Sequence, residues 1–393
     1  MALIIDNRNS IPGPGVHALI VGVSDYKNLR DFNDTPVEPQ WFLTTLTSGA
    51  SSAFAISQLL LRDKCRLPLK TLRLLLSPHA EELTKTPAIG ASGASPATRA
   101  ALEAMALDWR TDAEKEKDSI TVFYFAGHGL QRGPEDGVGL LEDFRPDNGP
   151  PLAKSFEVGD IKNGMAPSDT RPNIAMTQFY FMDACLTRPE TQKKFVGVQV
   201  PEVFGAELSS IEYRSAPLMF STVGGAIALG REGQPSHFAE ALTLAFDRAA
   251  EDPIDDGAGN TVWPVTSLTV KNYLDYYYAK LNLGTQVTLN GIVGTPVLRN
   301  LTDPPSVDMS IEVQPDALGN GYNLWLLDGN DAPTPPCTPA ALKKVEVTIP
   351  AGIYRVKVDA GLLRVSPYRS PPKWVTQKVA GPWRHNLQPL LNG

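Results

Sequence analysis

The chain has 393 residues, 42% of them hydrophobic and 20% charged, so it is long enough for two or three domains with ordinary apolar cores. Its net charge of −7 argues against nucleic acid or an anionic membrane as a partner. Three scattered cysteines exclude a disulfide framework or a zinc cluster. With no signal peptide and no apolar run of about 18 residues, we expect a cytoplasmic protein.

Strands and helices alternate through the first third of the chain. Apolar runs predict strands at residues 16–24, 71–77 and 121–127, and apolar residues at helical spacing predict helices at 41–61 and 96–112. Such an alternation connects parallel strands through right-handed crossovers. The pattern therefore predicts an α/β fold with a mostly parallel sheet, whose strands are buried on both faces.

Longer segments rich in Gly, Pro and polar residues separate the elements that follow. We interpret residues 82–95, 129–177 and 186–215 as loops, and long loops inside a domain are usually functional. An apolar strand is predicted at 178–185, and another at 216–222. The two longest loops therefore flank the strand at 178–185.

The character of the sequence changes after Asp303-Pro-Pro305. Before it, amphipathic helices are predicted at 236–250 and 267–282, and beyond it four segments alternate apolar and polar residues in the manner of half-buried strands. We therefore expect two domains, residues 1–302 with the parallel sheet and residues 303–393 as a small all-β, sandwich-like domain.

Two predicted strands end in reactive side chains. Thr121-Val-Phe-Tyr-Phe-Ala-Gly-His-Gly129 delivers His128, and Gln178-Phe-Tyr-Phe-Met-Asp-Ala-Cys185 delivers Cys185. Ligand sites of open α/β sheets form beyond the carboxyl ends of the strands. Histidine can remove the proton of a cysteine nucleophile, and the amides of Gly129 and Cys185 would hold the oxyanion of an acyl intermediate. The alternative is that Cys185 is only a small buried hydrophobic residue.

The segments Phe125-Ala-Gly-His-Gly129 and Met182-Asp-Ala-Cys185 resemble the signatures of the caspase-like cysteine peptidases, which include caspases, metacaspases and bacterial orthocaspases. The separation of 185 − 128 = 57 residues is close to the spacing of about 50 in caspases. The resemblance covers roughly residues 16–300.

This resemblance implies a caspase–hemoglobinase fold, with a mostly parallel six-stranded sheet flanked by helices. It also implies a cysteine endopeptidase that uses no cofactor and cleaves protein substrates. His128 would be the general base and Cys185 the nucleophile, and the N–H groups of Gly129 and Cys185 would form the oxyanion hole.

The preferred substrate residue, directly before the bond that is cut, is predicted from Asp183, which lies two positions before the cysteine. The same position carries an acid in metacaspase-like proteins that cut after Arg or Lys, so the resemblance implies a basic preference. The alternative is that Asp183 only anchors the loop. Metacaspases usually have a second pocket acid in an Asn-Asp-Ala segment, where this chain has Ser51-Ser-Ala53. Asp25, in a nearby loop, is a candidate to replace that acid.

The resemblance also bears on regulation. Bacterial relatives are often controlled by an activating or inhibiting partner, and some act in cell suicide or antiphage defence. The loop at 186–215 holds four basic residues and is either a self-cleavage region or an exposed polar loop; they are Arg188, Lys193, Lys194 and Arg214. The acidic stretch at 251–256 does not match a calcium-binding EF-hand loop and is interpreted as a solvated turn.

Two other functions compete with the peptidase. One is a catalytically silent caspase-like scaffold that binds a partner protein, against which the presence of both His128 and Cys185 argues. The other is a flavodoxin-like nucleotide-binding protein, but no P-loop or Gly-x-Gly-x-x-Gly segment follows a predicted strand.

Overall fold

The computed structural model of the chain describes residues 2–32, 43–62, 65–131, 137–145, 150, 152–184, 198–205, 213–222, 230–284, 287–291, 294–312, 323–328, 330, 332, 344–359, 373–379 and 385–387. The chain divides into two compact units. One comprises residues 1–244 and 277–299, and the other comprises residues 245–276 and 300–393.

The strands are numbered along the described chain. They are β1 (Leu3–Asp6), β2 (Val16–Val23), β3 (Leu69–Ser77), β4 (Ile120–Gly127), β5 (Gly129–Gln131), β6 (Gly137–Leu140), β7 (Ser155–Glu157), β8 (Thr177–Ala184), β9 (Leu218–Phe220), β10 (Ile254–Asp255), β11 (Thr261–Thr266), β12 (Thr288–Asn290), β13 (Val297–Leu301), β14 (Ser306–Glu312), β15 (Asn323–Leu327), β16 (Lys344–Pro350), β17 (Gly352–Asp359), β18 (Lys373–Val379) and β19 (His385–Leu387).

The helices are numbered in the same way. They are α1 (Gly49–Leu61), α2 (Ala80–Lys85), α3 (Arg99–Ala113), α4 (Val158–Gly164), α5 (His237–Arg248) and α6 (Ser267–Lys280), with a single 3₁₀ turn at Pro87–Ile89.

A mostly parallel sheet forms the centre of the first unit. Within the described residues it has seven strands in the order β1-β3-β2-β4-β8-β9-β12. The five inner strands run parallel, and the edge strands β1 and β12 pair antiparallel with their neighbours. β2, β3 and β4 are buried along their whole length, as expected for apolar strands covered on both faces.

Helices pack on opposite faces of this sheet. Leu19 and Val21 of β2 share an apolar core with residues of α3 such as Trp109. Gly22 points to the other face, where a Cβ would lie 2.5 Å from the Cβ of Ala53 in α1. Because side chains alternate along a strand, α1 and α3 cover different faces. The absence of a side chain at Gly22 lets α1 approach the sheet closely.

The fold class predicted from the sequence is confirmed: the chain is α/β, with a mostly parallel central sheet flanked by helices. The expected number of six strands is wrong, since the described sheet has seven. The additional strand β1 lies in the N-terminal lead-in, whose few residues pair with β3 at the edge. So short a strand carries little periodicity of its own.

Two segments interpreted as loops contain regular structure. α2 falls partly within residues 82–95, where His79 and Glu82 form a capping box and the Glu82 side chain is buried. The second segment, residues 129–177, contains the three short strands β5, β6 and β7, which form an antiparallel sheet, and the helix α4 that follows them. Their length of three or four residues hid them from pattern analysis.

The second unit has a different architecture. Its residues beyond 303 form, in the described part, two three-stranded β-sheets in the orders β16-β14-β19 and β15-β17-β18. The all-β character of this region agrees with the prediction, while its sandwich-like packing stays a prediction. The unit also takes in residues 245–276, which lie inside the predicted first domain. A domain boundary at residue 303 likewise stays a prediction.

Candidate active site

The carboxyl ends of β4 and β8 lie side by side. The two strands are parallel neighbours, and their register pairs Gly127 with Ala184 at the last residue of each strand. His128 therefore follows β4 at the level where β8 ends, and Ala184 is the residue before Cys185 in the sequence. Cys185 itself lies outside the described residues.

The imidazole of His128 is held by a main-chain carbonyl. Its Nε2 lies 2.6 Å from the carbonyl oxygen of Thr44. Because a carbonyl oxygen only accepts hydrogen bonds, this contact assigns the proton to Nε2 and leaves Nδ1 as the basic nitrogen. Burial lowers the pKa of His128 to about 4, against a smaller raising effect of the Thr44 carbonyl. The ring is therefore neutral at physiological pH, as a general base must be.

A tyrosine braces the backbone of the same histidine. The N–H of His128 donates to Tyr26 Oη over 2.7 Å, and the two ring centroids are 5.0 Å apart. A Cβ on Gly127 would lie 2.8 Å from this hydroxyl, so a glycine is required for the close approach. The sequence analysis assigned no role to Tyr26 or Thr44. Thr44 contributes only a carbonyl, which any residue type supplies, so nothing in the sequence marks it.

The amide of Gly129 points away from the neighbouring strand β6. The N–H of Leu140 donates to the carbonyl of His128, and Gly129 is opposite Gly139 in the register of β5 and β6. In an antiparallel ladder, hydrogen-bonded and non-hydrogen-bonded pairs alternate, so Gly129 falls at a non-bonded position. Its N–H is therefore oriented outside this ladder, as an oxyanion donor would have to be.

Asp183 lies on the α1 face of the sheet and is surrounded by hydroxyl groups. Its Oδ2 accepts from Tyr124 Oη at 2.8 Å and from Ser236 Oγ. Burial raises the pKa of Asp183 to about 6, although hydrogen bonds from Ser236, Tyr124 and Ser221 act in the opposite direction. Among the described residues, no lysine or arginine contributes to this pKa. The carboxylate is therefore a buried acid without a cationic partner in the described part of the chain.

Ser52 of α1 is linked to the surroundings of this acid through Ser236. Ser52 Oγ accepts the N–H of Ser236 at 2.9 Å and donates to the carbonyl of Ser48 at 2.7 Å. Ser236 Oγ in turn accepts the N–H of Ala239 in the first turn of α5. The hydroxyl of Ser52 therefore belongs to the hydrogen-bond network around Asp183. Tyr124, Ser236 and Ser221 were not singled out from the sequence.

Asp25 has a different environment. It follows β2, its side chain is exposed, and its N–H donates to the carbonyl of Ser77. Its charge acts on Lys27, whose pKa is raised mainly by Glu142. It is not among the groups that shift the pKa of Asp183. A role of Asp25 in substrate binding stays a prediction that these contacts do not favour.

The predicted self-cleavage loop is described only in part. Arg188, Lys193 and Lys194 lie outside the described residues, whereas Arg214 is buried and donates to Gln178 Oε1 at 2.9 Å. A buried Arg214 is inaccessible as a cleavage site in this conformation. Residues 198–205, the described middle of this loop, are attached to the rest of the first unit by two hydrogen bonds. One runs from Arg99 Nη2 to the carbonyl of Glu202, and the other from the N–H of Val203 to Asp160.

The acidic stretch in the second unit forms the hairpin of β10 and β11. Asp256 is exposed and its carboxylate accepts the N–H groups of Ala258 and Asn260, so its oxygens close the turn. In the described part of the chain, no three His, Cys, Asp or Glu side chains are grouped as metal ligands. None of the helices described is both long enough and apolar enough to cross a membrane.

Comparisons with known proteins give only distant structural likeness. No family model and no curated protein matches the sequence. A Geobacter sulfurreducens protein solved as a structural genomics target matches with a TM-score of 0.40 and 13% identity, over 72% of this chain and 95% of its own. Caspase-1 from Spodoptera frugiperda matches with a TM-score of 0.38 and 14% identity, over 73% of this chain and 90% of its own. The fold assignment therefore rests on the strand order and register of the chain itself.

Proposed function

We propose that this chain is a caspase-like cysteine endopeptidase, with His128 as general base and Cys185 as nucleophile. One observation carries the proposal. A neutral histidine, with Nε2 bound to the carbonyl of Thr44, follows the last residue of β4. That residue is paired with the last residue of β8, which directly precedes the cysteine in the sequence. The carboxyl ends of adjacent parallel strands are where an α/β fold forms its active site.

The chemistry follows from the tautomer of His128. Nδ1 accepts the proton of the Cys185 thiol, and the thiolate attacks the carbonyl carbon of the scissile peptide bond. The N–H groups of Gly129 and Cys185 bind the oxyanion that forms. The imidazolium, stabilised by the Thr44 carbonyl, then gives its proton to the leaving amine. A water molecule, deprotonated by the same histidine, hydrolyses the thioester and frees the cysteine.

Asp183 supports a preference for Arg or Lys before the cut. Its carboxylate is 5% exposed, and its hydrogen-bond donors in the described structure are neutral hydroxyl groups. A buried carboxylate is much more stable when a cation pairs with it. We propose that the substrate supplies this cation as the side chain before the scissile bond.

The test compares the wild-type chain with Cys185→Ala on fluorogenic peptides that carry Arg, Lys, Asp or Ala before the cut. Each is assayed with and without calcium, which is included as an activating condition. Cys65→Ala, which removes a cysteine without a catalytic assignment, is the matched control. We expect hydrolysis of the Arg and Lys peptides by the wild type and the control, and none by Cys185→Ala.

Three results would count against the proposal in different ways. Hydrolysis that is absent from the wild type under every condition contradicts the peptidase and favours the silent scaffold. Hydrolysis that survives in Cys185→Ala contradicts the role of Cys185 as nucleophile. Cysteine-dependent cleavage after Asp but not after Arg or Lys keeps the peptidase and removes the role given to Asp183.

A further inference from the structure

The first rung of the β5–β6 hairpin is interrupted by a side chain. Two residues that form a hydrogen-bonded antiparallel pair normally exchange two N–H···O bonds. Leu140 donates its N–H to the carbonyl of His128 at 3.0 Å, but the return bond is not made directly. The N–H of His128 donates instead to Tyr26 Oη at 2.7 Å, and this hydroxyl donates to the carbonyl of Leu140 at 3.4 Å.

The hydroxyl is therefore inserted into one rung of the ladder, next to the imidazole. It keeps the N–H of His128 from bonding directly to the carbonyl of Leu140, while Nε2 of the same residue reaches the carbonyl of Thr44. Thr44 lies outside the hairpin, so we expect a rung that closed directly to draw His128 away from it.

Tyr26 is fixed firmly enough to act in this way. Its side chain is 1% exposed and its ring is tilted against the imidazole at a centroid distance of 5.0 Å. Its carbonyl accepts the N–H of Leu29, and the next residue, Lys27, donates its N–H to the carbonyl of Glu142. On the preceding side, the N–H of Asp25 donates to the carbonyl of Ser77, so the loop is anchored on both sides of the tyrosine.

We propose that Tyr26 is a positioning residue for the general base, and this role rests on the proposed peptidase function. Its hydroxyl sets the backbone of His128 so that Nε2 stays bound to Thr44 and Nδ1 stays unprotonated. Without the hydroxyl, the N–H of His128 either closes onto Leu140 or loses its acceptor. In both cases the imidazole leaves Thr44, both tautomers become populated, and the ring becomes more solvated.

The test uses Tyr26→Phe, which removes only the hydroxyl, with Tyr180→Phe as matched control. Tyr180 is also fully buried, and its hydroxyl donates to Gln178 Oε1 at 2.7 Å, away from His128. We expect Tyr26→Phe to lower kcat about tenfold with KM within about twofold of the wild type, because the base is misplaced and substrate binding is not. The control should keep both values within about twofold.

The pH profile separates positioning from general weakening of the fold. A more solvated imidazole regains a pKa closer to its ordinary value, so the acidic limb of the Tyr26→Phe profile should move up by about one pH unit. An unchanged limb together with an unchanged kcat would overturn the role of Tyr26. If Tyr26→Phe only lowered the stability of the fold, the acidic limb of its pH profile would stay in place at temperatures where the variant is folded.

A readout without catalysis separates this proposal from the proposed function. In the Cys185→Ala chain labelled with ¹⁵N-histidine, His128 should show the Nε2–H tautomer, and addition of Tyr26→Phe should produce a mixture. His128→Gln identifies the resonance among the five histidines. If wild type is inactive but the tautomer responds, the peptidase fails and the placement by Tyr26 stands. If wild type is active but tautomer, kcat and pH limb do not respond, only the Tyr26 proposal fails.

Hydrogen exchange in the Cys185→Ala chain covers the case in which Tyr26→Phe does not fold. The inserted hydroxyl should protect the amide of His128 about as strongly as the amides of its neighbours in β4. Rapid exchange of this single amide, with Phe125 and Ala126 protected, would show that the bond to Tyr26 is absent and overturn the proposal.

Discussion

Asp112 and Asp183 are both buried aspartates of the first unit, and their surroundings are opposite. Asp112, at the end of α3, binds Arg73 Nη2 at 2.7 Å, Lys115 Nζ at 3.1 Å and Arg8 Nη1 at 3.2 Å. Burial raises its pKa, but the hydrogen bond and charge of Arg73 and the other cations outweigh burial, so its pKa is lowered. Among the described residues, Asp183 has only hydroxyl donors, and burial raises its pKa to about 6.

The two buried histidines of the same unit show a parallel contrast. His17, near the start of β2, places Nδ1 2.8 Å from Thr71 Oγ1, and its carbonyl accepts a hydrogen bond from Trp109 Nε1. His128, beyond the end of β4, is held by a carbonyl and a tyrosine hydroxyl. Burial is the first cause that lowers the pKa to about 4 in both.

The comparison shows that a shifted pKa alone does not identify the end of the sheet that carries the candidate active site. Where β2 begins, the charge of Asp112 is compensated within the chain, which suits a structural role. At the carboxyl ends of β4 and β8, the described residues leave the Asp183 carboxylate without a cation and the His128 imidazole with an Nδ1 lone pair available for a proton. Groups left incomplete in this way are the ones that a substrate can complete.

The largest effect should follow from replacing the base. His128→Gln keeps a polar side chain of similar size but cannot accept a proton, so kcat/KM should fall at least about 1,000-fold. His17→Gln is the matched control and should keep its activity per folded molecule. Equal losses in both variants would erase the distinction between the two histidines.

Asp112→Asn should have the largest effect on stability. It leaves Arg73, whose side chain is also buried, without its charged partner. Breaking such a pair by removing one partner costs about 3–5 kcal/mol in the free energy of unfolding. Urea denaturation at pH 7.5 measures this loss. Asp6→Asn, which removes an exposed partner of Arg8, is the control and should change little.

Asp183→Asn should have the opposite effect on stability. Because the folded pKa is raised above the unfolded value, the folded state binds more protons between pH 3.8 and about 6. The wild type therefore loses stability as pH rises through this window, by about 3 kcal/mol in all, and the variant does not. Above pH 6 the variant should be more stable, as denaturation curves at pH 4 and pH 8 would show.

The same variant tests the substrate preference. A charge-assisted hydrogen bond contributes about 1.5–3 kcal/mol, so loss of the carboxylate should reduce the preference for Arg over Ala before the cut by about 10- to 100-fold. A preference that persists in full would restrict Asp183 to its contacts with Tyr124 and Ser236, as an anchor of the fold.

The sequence pointed to candidate residues that lie at the end of an apolar run. His128 follows β4 and Asp183 is next to the last residue of β8. The carboxyl ends of parallel strands lie at the same edge of a sheet, where ligand sites form. The register of β4 and β8, which aligns Gly127 with Ala184, was not predicted and is shown by the structure.

The sequence did not predict the contacts that come from distant segments. The Thr44 carbonyl carries no side-chain signal, and Tyr26 is about 100 positions from His128, so only the folded chain shows their contact. The hydroxyl groups around Asp183 come from β4, from the residue after β9 and from the residue before α5, and single serines and tyrosines are too common to stand out. Asp25, chosen because its loop was expected to lie near the site, is exposed and lies among other charges.

The smallest effect at neutral pH is expected from His17→Gln, and its sign should reverse with pH. At pH 7.5 the variant weakens the contact with Thr71 and should lose about 1 kcal/mol in the free energy of unfolding. The pKa of His17 is lowered from 6.5 to about 4 on folding, so the unfolded state binds more protons in that window. Wild-type stability therefore falls as pH drops from 6.5 towards 4, and this contribution is missing from the variant. Plots of the free energy of unfolding against pH, measured by denaturation, should cross for wild type and variant near pH 5–6. Parallel plots would mean that His17 is protonated equally in the folded and unfolded states.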